Sequence, residues 1–251
     1  MKLYRWQFQF AFALALTLAV SAFAAAKEKE KEPEGQKVDS GSFGVFMGGH
    51  RVGTETFSIY KNQNGSVIES EFKTEGSAAQ ATQNSELRLT APGEIRRYDW
   101  REVSPGKSQL TILPDDQFLT QKWISGPQEK EREQPYLLPP STSILDDYFF
   151  VHREVLAWRF LGAACKQEKG QVQCPTQKRA QFGTLNPHQH SSAPGTMEFL
   201  GREKVMLKGT AQELNKLELK SESGTWHLWL DDQFKLMRIS IVGENTEVIR
   251  D

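Results

Sequence analysis

The chain has 251 residues, 31 Lys plus Arg against 32 Asp plus Glu, and a formal net charge of −1. That balance argues against a nucleic-acid binder, which needs a basic face to displace counterions from phosphates, so no nucleic-acid partner is expected. A hydrophobic content of 38% with 19 Gly and 11 Pro fits neither a fibre nor a mainly disordered chain; it suits a globular protein of one large β domain or two small ones.

Lys2 and Arg5 precede an apolar run from Phe10 to Val20, and Ala22-Phe23-Ala24 and Ala24-Ala25-Ala26 follow. A basic start, a short apolar run and small residues at a cleavage site read as a secretory signal over residues 1–26. The run is shorter than the about 20 residues of a bilayer-spanning helix. The expectation is therefore a periplasmic or secreted chain with no membrane span once mature, and a retained anchor is the rival. Residues 27–37, KEKEKEPEGQK, hold no apolar side chain, and Pro33 and Gly35 interrupt any helix. Residues 27–40 are read as a solvated, disordered tether.

From residue 41 apolar and polar residues alternate between Gly- and Asn-rich breaks. Phe43, Val45 and Met47 share a face, Ile68 and Phe72 another, and Asn64-Gly65 between two such runs marks a hairpin turn. The pattern continues through SELRLT, EIRRYDWREV, KSQLTIL and DQFLTQKWI up to Ser125-Gly126-Pro127. Then the period changes. Leu145, Tyr148, Phe149, His152, Val155 and Leu156 follow helical spacing. Ser143 with Asp146 suggests an N-cap and Gly162 an end, so a buried helix is expected over about 143–162. Short strands return from GTMEFLG to TEVIR. With many strands, one helix and no βαβ alternation, the expected fold is mainly β. It is a single strongly curved antiparallel sheet or open barrel over 41–251, with the helix packed against it.

Cys165 and Cys174 flank Lys169-Gly170, which suits a turn between them. In an oxidising compartment they are expected to form a disulfide; the spacing is not C-x-x-C, as a metal or redox pair would prefer.

FGVFMGGHRVGTETFSI, ILDDYFF and LWLDDQFKLMRISIVGENTEVIRD resemble an uncharacterised family of exported bacterial β-sheet proteins, a domain of unknown function. The family closes on a W-x-D-x-x-x-x-L-x-R strand and a final E-V-x-R, here Trp229, Asp231, Leu236, Arg238, Glu247, Val248 and Arg250. The resemblance implies a curved antiparallel sheet similar to the lipoprotein-localisation carriers. It carries no catalytic residue.

Two clusters bear on chemistry. His188 and His190, in NPHQH, would reach one ion if they lay on a strand. Pro187 and the following serines favour a polar loop, and no H-E-x-x-H accompanies them. The Asp pairs at 115–116, 146–147 and 231–232 read as turn residues and a helix start rather than a hydrolytic pair. No G-x-S-x-G elbow or phosphate loop is present, so no catalytic residue and no cofactor are assigned. The aromatic residues Trp100, Trp229, Tyr98 and Phe72 could line a concave face holding a lipid or other apolar ligand, or they could simply be core. Trp226 and Trp229 have opposite parity, so one points in and one out. The leading expectation is an exported non-enzymatic β-sheet protein binding a hydrophobic ligand or an envelope protein on its concave face. The alternatives are a metal-dependent hydrolase at His188 and His190, and a purely structural envelope module.

Overall fold

Alternation of inward apolar with outward polar residues is realised as strands in the computed structural model, which describes residues 35–76, 80–168, 171–175 and 178–251. The signal at 1–26 and tether residues 27–34 lie outside the described residues. A first meander comprises β1 (Gln36–Met47), β2 (His50–Asn62), β3 (Gly65–Thr74), β4 (Thr82–Thr90), β5 (Ile95–Ser104), β6 (Gln109–Asp115), β7 (Phe118–Ile124) and β8 (Arg132–Leu137). The two-residue β9 (Ser143–Ile144), helix α1 (Val151–Ala164) and the separate hairpin β10 (Lys166–Glu168)–β11 (Gln171–Gln173) follow. The second meander is β12 (Arg179–Asn186), β13 (Ser191–Leu207), β14 (Thr210–Ser221), β15 (Gly224–Leu230), β16 (Leu236–Ile241) and β17 (Thr246–Arg250).

The last strand closes onto the first. β17 pairs antiparallel with β1, from Phe43 opposite Arg250 to Met47 opposite Thr246. This joins the two meanders into one 15-stranded sheet with edges β8 and β9. β9 runs parallel to β12, so the sheet is mixed, and it is not closed. Turn chemistry sets the registers. At the β2–β3 hairpin Gly65 has φ +148°, and a Cβ there would stand 1.9 Å from the Leu89 carbonyl oxygen, so only glycine fits.

The helix is held by both arms of the sheet. Arg159 Nη1 donates to the Gly93 carbonyl in the β4–β5 turn at 3.0 Å. Trp158 Nε1 donates to the Phe234 carbonyl, between β15 and β16, at 2.6 Å. Arg153 lies over the Trp226 ring of β15 at 4.1 Å. Strands that far apart in the sheet reach one helix only if the sheet curves round it. Residues 151, 153 and 154 point to three different sides of α1 and all are buried. The concave face is thus filled by α1 and by one continuous apolar cluster that includes Phe43, Ile59, Ile68, Phe149, Leu217 and Leu228. A second cluster of Val205, Leu207, Leu214 and Trp229 stands apart from it.

Three expected boundaries move. The helix starts at Val151, not near 143. Ser143 and Ile144 pair with Thr184 and Leu185 instead, and Asp146 turns the chain by accepting the Tyr148 N–H at 2.7 Å. Strand pairing and an Asp side-chain bond both compete with helix here. The N-terminal amides of Phe150 and Val151 are met by Glu55, from β2, at 2.7 and 3.3 Å. At the other end the helix passes Gly162 and stops where the Cys165 N–H reaches the Leu161 carbonyl. The tether is also shorter than expected. Gln36–Ser40 belong to β1, because buried Asp39 meets Arg250 at 2.7 Å and Lys235 at 3.0 Å.

Candidate functional site

His188 and His190 lie in the turn of residues 187–190 between β12 and β13, as the loop reading expects. That turn reaches across the open side of the sheet to the other arm. Buried Gln121 of β7 donates its amide to the Pro187 carbonyl at 2.7 Å and to His190 Nδ1 at 2.8 Å, and its carbonyl accepts from Tyr136 of β8 at 3.2 Å. His190 also stacks on Trp123, with centroids 4.2 Å apart. Burial, then His188 and Arg132, lower its pKa.

His188 points elsewhere. Its Nε2 stands 2.9 Å from Asp146 Oδ2, and its ring meets those of Trp100 and Tyr148 edge to face with centroids 4.8 and 4.9 Å apart. Burial disfavours its charge, but Asp146 outweighs burial and raises its pKa. Asp146 feels the reverse: burial pushes it up, His188 with His152 and Tyr98 together pull it down, and its carboxyl ends below the usual range. Tyr98 donates to the same carboxylate at 2.6 Å. The two imidazoles therefore serve different partners. Among the described residues no three His, Cys, Asp or Glu side chains gather as a metal-binding group.

The four aromatic candidates do not form one lining. Tyr98 and Phe72 are buried in the core cluster, and Trp100 packs at its margin with Nε1 donating to Gln83. Trp229 is in the separate cluster, its Nε1 on Glu203 and its ring facing Lys216 and Arg238. Trp226 is in the main core, so the parity of the two tryptophans separates them as expected.

Charged groups beneath the helix were not legible in the sequence. Glu55 is fully buried; burial pushes its carboxyl up to about 7, although Ser70 and the two helix amides bond to it. Burial lowers His152 to about 4 and Arg153 to about 10. Arg250, Asp39 and Glu154 meet on the other side of α1, with Arg250 3.6 Å from Glu154. These groups tie strands to the helix from within.

A cleft of about 440 Å³ opens at the C-terminal end of α1. It is lined by Trp158, Leu161, Gly162 and Cys165 from the helix end, Lys61 from β2, Lys166, and Gln233 and Phe234 from the β15–β16 turn. Cys165 is bonded to Cys174, so the disulfide forms part of this wall. Phe234 is held at φ +63°, a conformation that costs a bulky residue about 1–2 kcal/mol. Asp231 fixes it there: its Oδ1 accepts the N–H groups of Gln233 and Lys235 at 2.8 and 2.9 Å. Trp158 then clamps the Phe234 carbonyl. Helical spacing marked this stretch as buried helix, but nothing in the sequence pairs Trp158 with Phe234, which are 76 positions apart.

No family model matches the chain, and no curated protein matches it. The chain is similar to a solved crystal structure of a DUF1089 family protein from Pseudomonas aeruginosa, at 14% identity and a TM-score of 0.41, over 76% of this chain and 90% of that one.

Proposed function

We propose that this chain is an exported, non-enzymatic binding module that holds an apolar ligand in the cleft at the C-terminal end of α1. The observation that carries the reading is the cleft itself. Its volume of about 440 Å³ lies within the range of small-molecule sites, about 300–1,000 Å³, and its walls set the aromatic and aliphatic surface of Trp158, Leu161 and Phe234 beside the polar Lys61, Lys166 and Gln233. The strained turn at Phe234 supports the same reading, since a bulky left-handed residue is kept where surrounding bonds hold it in place for a purpose. The ligand site moves from the concave face, which α1 occupies, to the end of the helix that fills it. Export is supported by the basic and apolar start, the alanine sites after it, and a disulfide that suits an oxidising compartment.

Gly162 supplies the test. It lines the cleft, and a Cβ added there meets nothing within 4 Å. Gly162→Phe fills the space while improving helix propensity. Native mass spectrometry of the full chain with dodecanol is expected to show one bound equivalent, reduced at least about ten-fold in occupancy in the variant, which equals about 1.4 kcal/mol. The melting temperature should not fall. Absence of binding to the unaltered chain, or equal binding to both, defeats the proposal.

A further inference from the structure

We infer that the occupant of this cleft is a single-chain amphiphile with an anionic head, a carboxylate or a phosphate monoester. The inference rests on the cleft being a ligand site and adds the chemistry of the head group. Among the described residues two cations and no carboxylate line the cleft: Lys61 and Lys166 stand with Gln233 around an apolar floor of Trp158, Leu161, Phe234 and the disulfide. The chain as a whole is balanced in charge, so a locally uncompensated pair is informative. Five lysines elsewhere carry carboxylate partners, whereas among the described residues Lys37 and Lys204 on β1 and β13 do not. Lys73 is paired with Glu71, Lys122 with Glu133, Lys216 with Glu203, Lys220 with Glu218 and Lys235 with Asp39. Among the described residues neither Lys61 nor Lys166 has an ion-pair partner.

One opposing field is present. The C-terminus of α1 carries about half a negative charge and has no basic residue in its last turn. Two full ammonium charges at the rim exceed it. They also sit where a head group would emerge, because both lysines are exposed while Leu161 is buried. An acyl chain laid against Trp158 and Phe234 would place an anion among Lys61, Lys166 and the Gln233 amide. A neutral apolar molecule would leave both ammonium groups with water alone. A cationic amphiphile would be repelled.

The experiment compares four probes with the same alkyl chain on the full-length protein at low salt: dodecanoate, dodecyl phosphate, dodecanol and dodecyltrimethylammonium. The anions are expected to bind about ten-fold more tightly than dodecanol, the cation least, with the advantage shrinking at high salt. The preferred anion names the head group. In the double variant Lys61→Ala, Lys166→Ala the anions should fall to within about two-fold of dodecanol measured on the same variant. Both side chains are exposed, so the fold is not at stake. Equal binding of anion and alcohol overturns the charge assignment and leaves the apolar cleft standing. An anion preference that survives the double variant also overturns it. Binding of none of the four removes the ligand site together with this inference.

Discussion

Replacing Glu55 by Gln tests whether burial governs the charge beneath α1. The Glu55 carboxyl is pushed from 4.5 up to about 7, burial being the largest cause. The folded state therefore holds this proton more tightly than the unfolded chain. Its contribution to stability is fully present below pH 4.5 and is lost as pH rises through 7. At about 1.36 kcal/mol for each pH unit, the loss amounts to about 3 kcal/mol. Gln keeps the shape and never ionises. Unfolding in urea at a series of pH values, extrapolated linearly to water, should show the variant gaining about 3 kcal/mol on the unaltered protein between pH 4 and pH 8. Using the difference between the two proteins cancels every other titrating group. A difference that stays flat would mean that folding leaves the Glu55 carboxyl unshifted. The amides of Phe150 and Val151 and the Ser70 hydroxyl would then balance desolvation, and the reasoning from burial would be wrong.

His152 should behave in the opposite sense. Burial depresses it from 6.5 to about 4, so its contribution is present above pH 6.5 and is lost as pH falls through 4. Relative to His152→Leu, the unaltered protein should lose about 3 kcal/mol over that window; parallel pH profiles would refute this. Gln121→Leu removes three bonds between β7, β8 and the histidine turn. It should cost about 2–4 kcal/mol in urea unfolding, since it leaves buried polar partners unmet, and a loss below about 1 kcal/mol would show that the turn is held by other contacts. The disulfide joins residues nine apart. Replacing Cys165 and Cys174 by Ala should cost about 2.5–3 kcal/mol through loop-closure entropy, read as a lower urea midpoint; an unchanged midpoint would contradict it.

Much of the fold was legible because a β-strand writes its burial every second residue. Phe57 and Ile59 alternate with Thr56 and Ser58, and the strand follows. The helix was legible in kind, because apolar residues shifted to a longer period, but its start was misplaced. Ser143 and Ile144 are extended only because β12 lies beside them, and Glu55 takes over the capping from 95 positions away. The candidate site was less legible. Pro187 and the serines mark the histidine turn as a loop, yet the contacts of its two imidazoles with opposite-arm residues such as Gln121, Trp100 and Trp123 have no local signature. Trp158 and Phe234 have no periodic relation in the sequence that would mark them as partners.

One tetrapeptide shows the division. Asp-Asp-Gln-Phe occurs at 115–118 and again at 231–234, and both copies are turns, as their composition requires. In the first, Asp115 pairs with Phe118 across a tight hairpin, and Asp116 is the left-handed residue at φ +51°. In the second the register shifts at Leu230, which pairs with Leu236, and the left-handed residue is Phe234. Identical local chemistry settled that the chain turns there. Which residue carries the left-handed backbone, and so whether a phenylalanine faces a cleft, differs between the copies: at the second, the local Asp231 bonds are joined by long-range partners, Trp158 on the Phe234 carbonyl and Asp39 on Lys235. Short-range preferences among turn geometries differ by about 1–2 kcal/mol, and a few tertiary bonds are enough to override them.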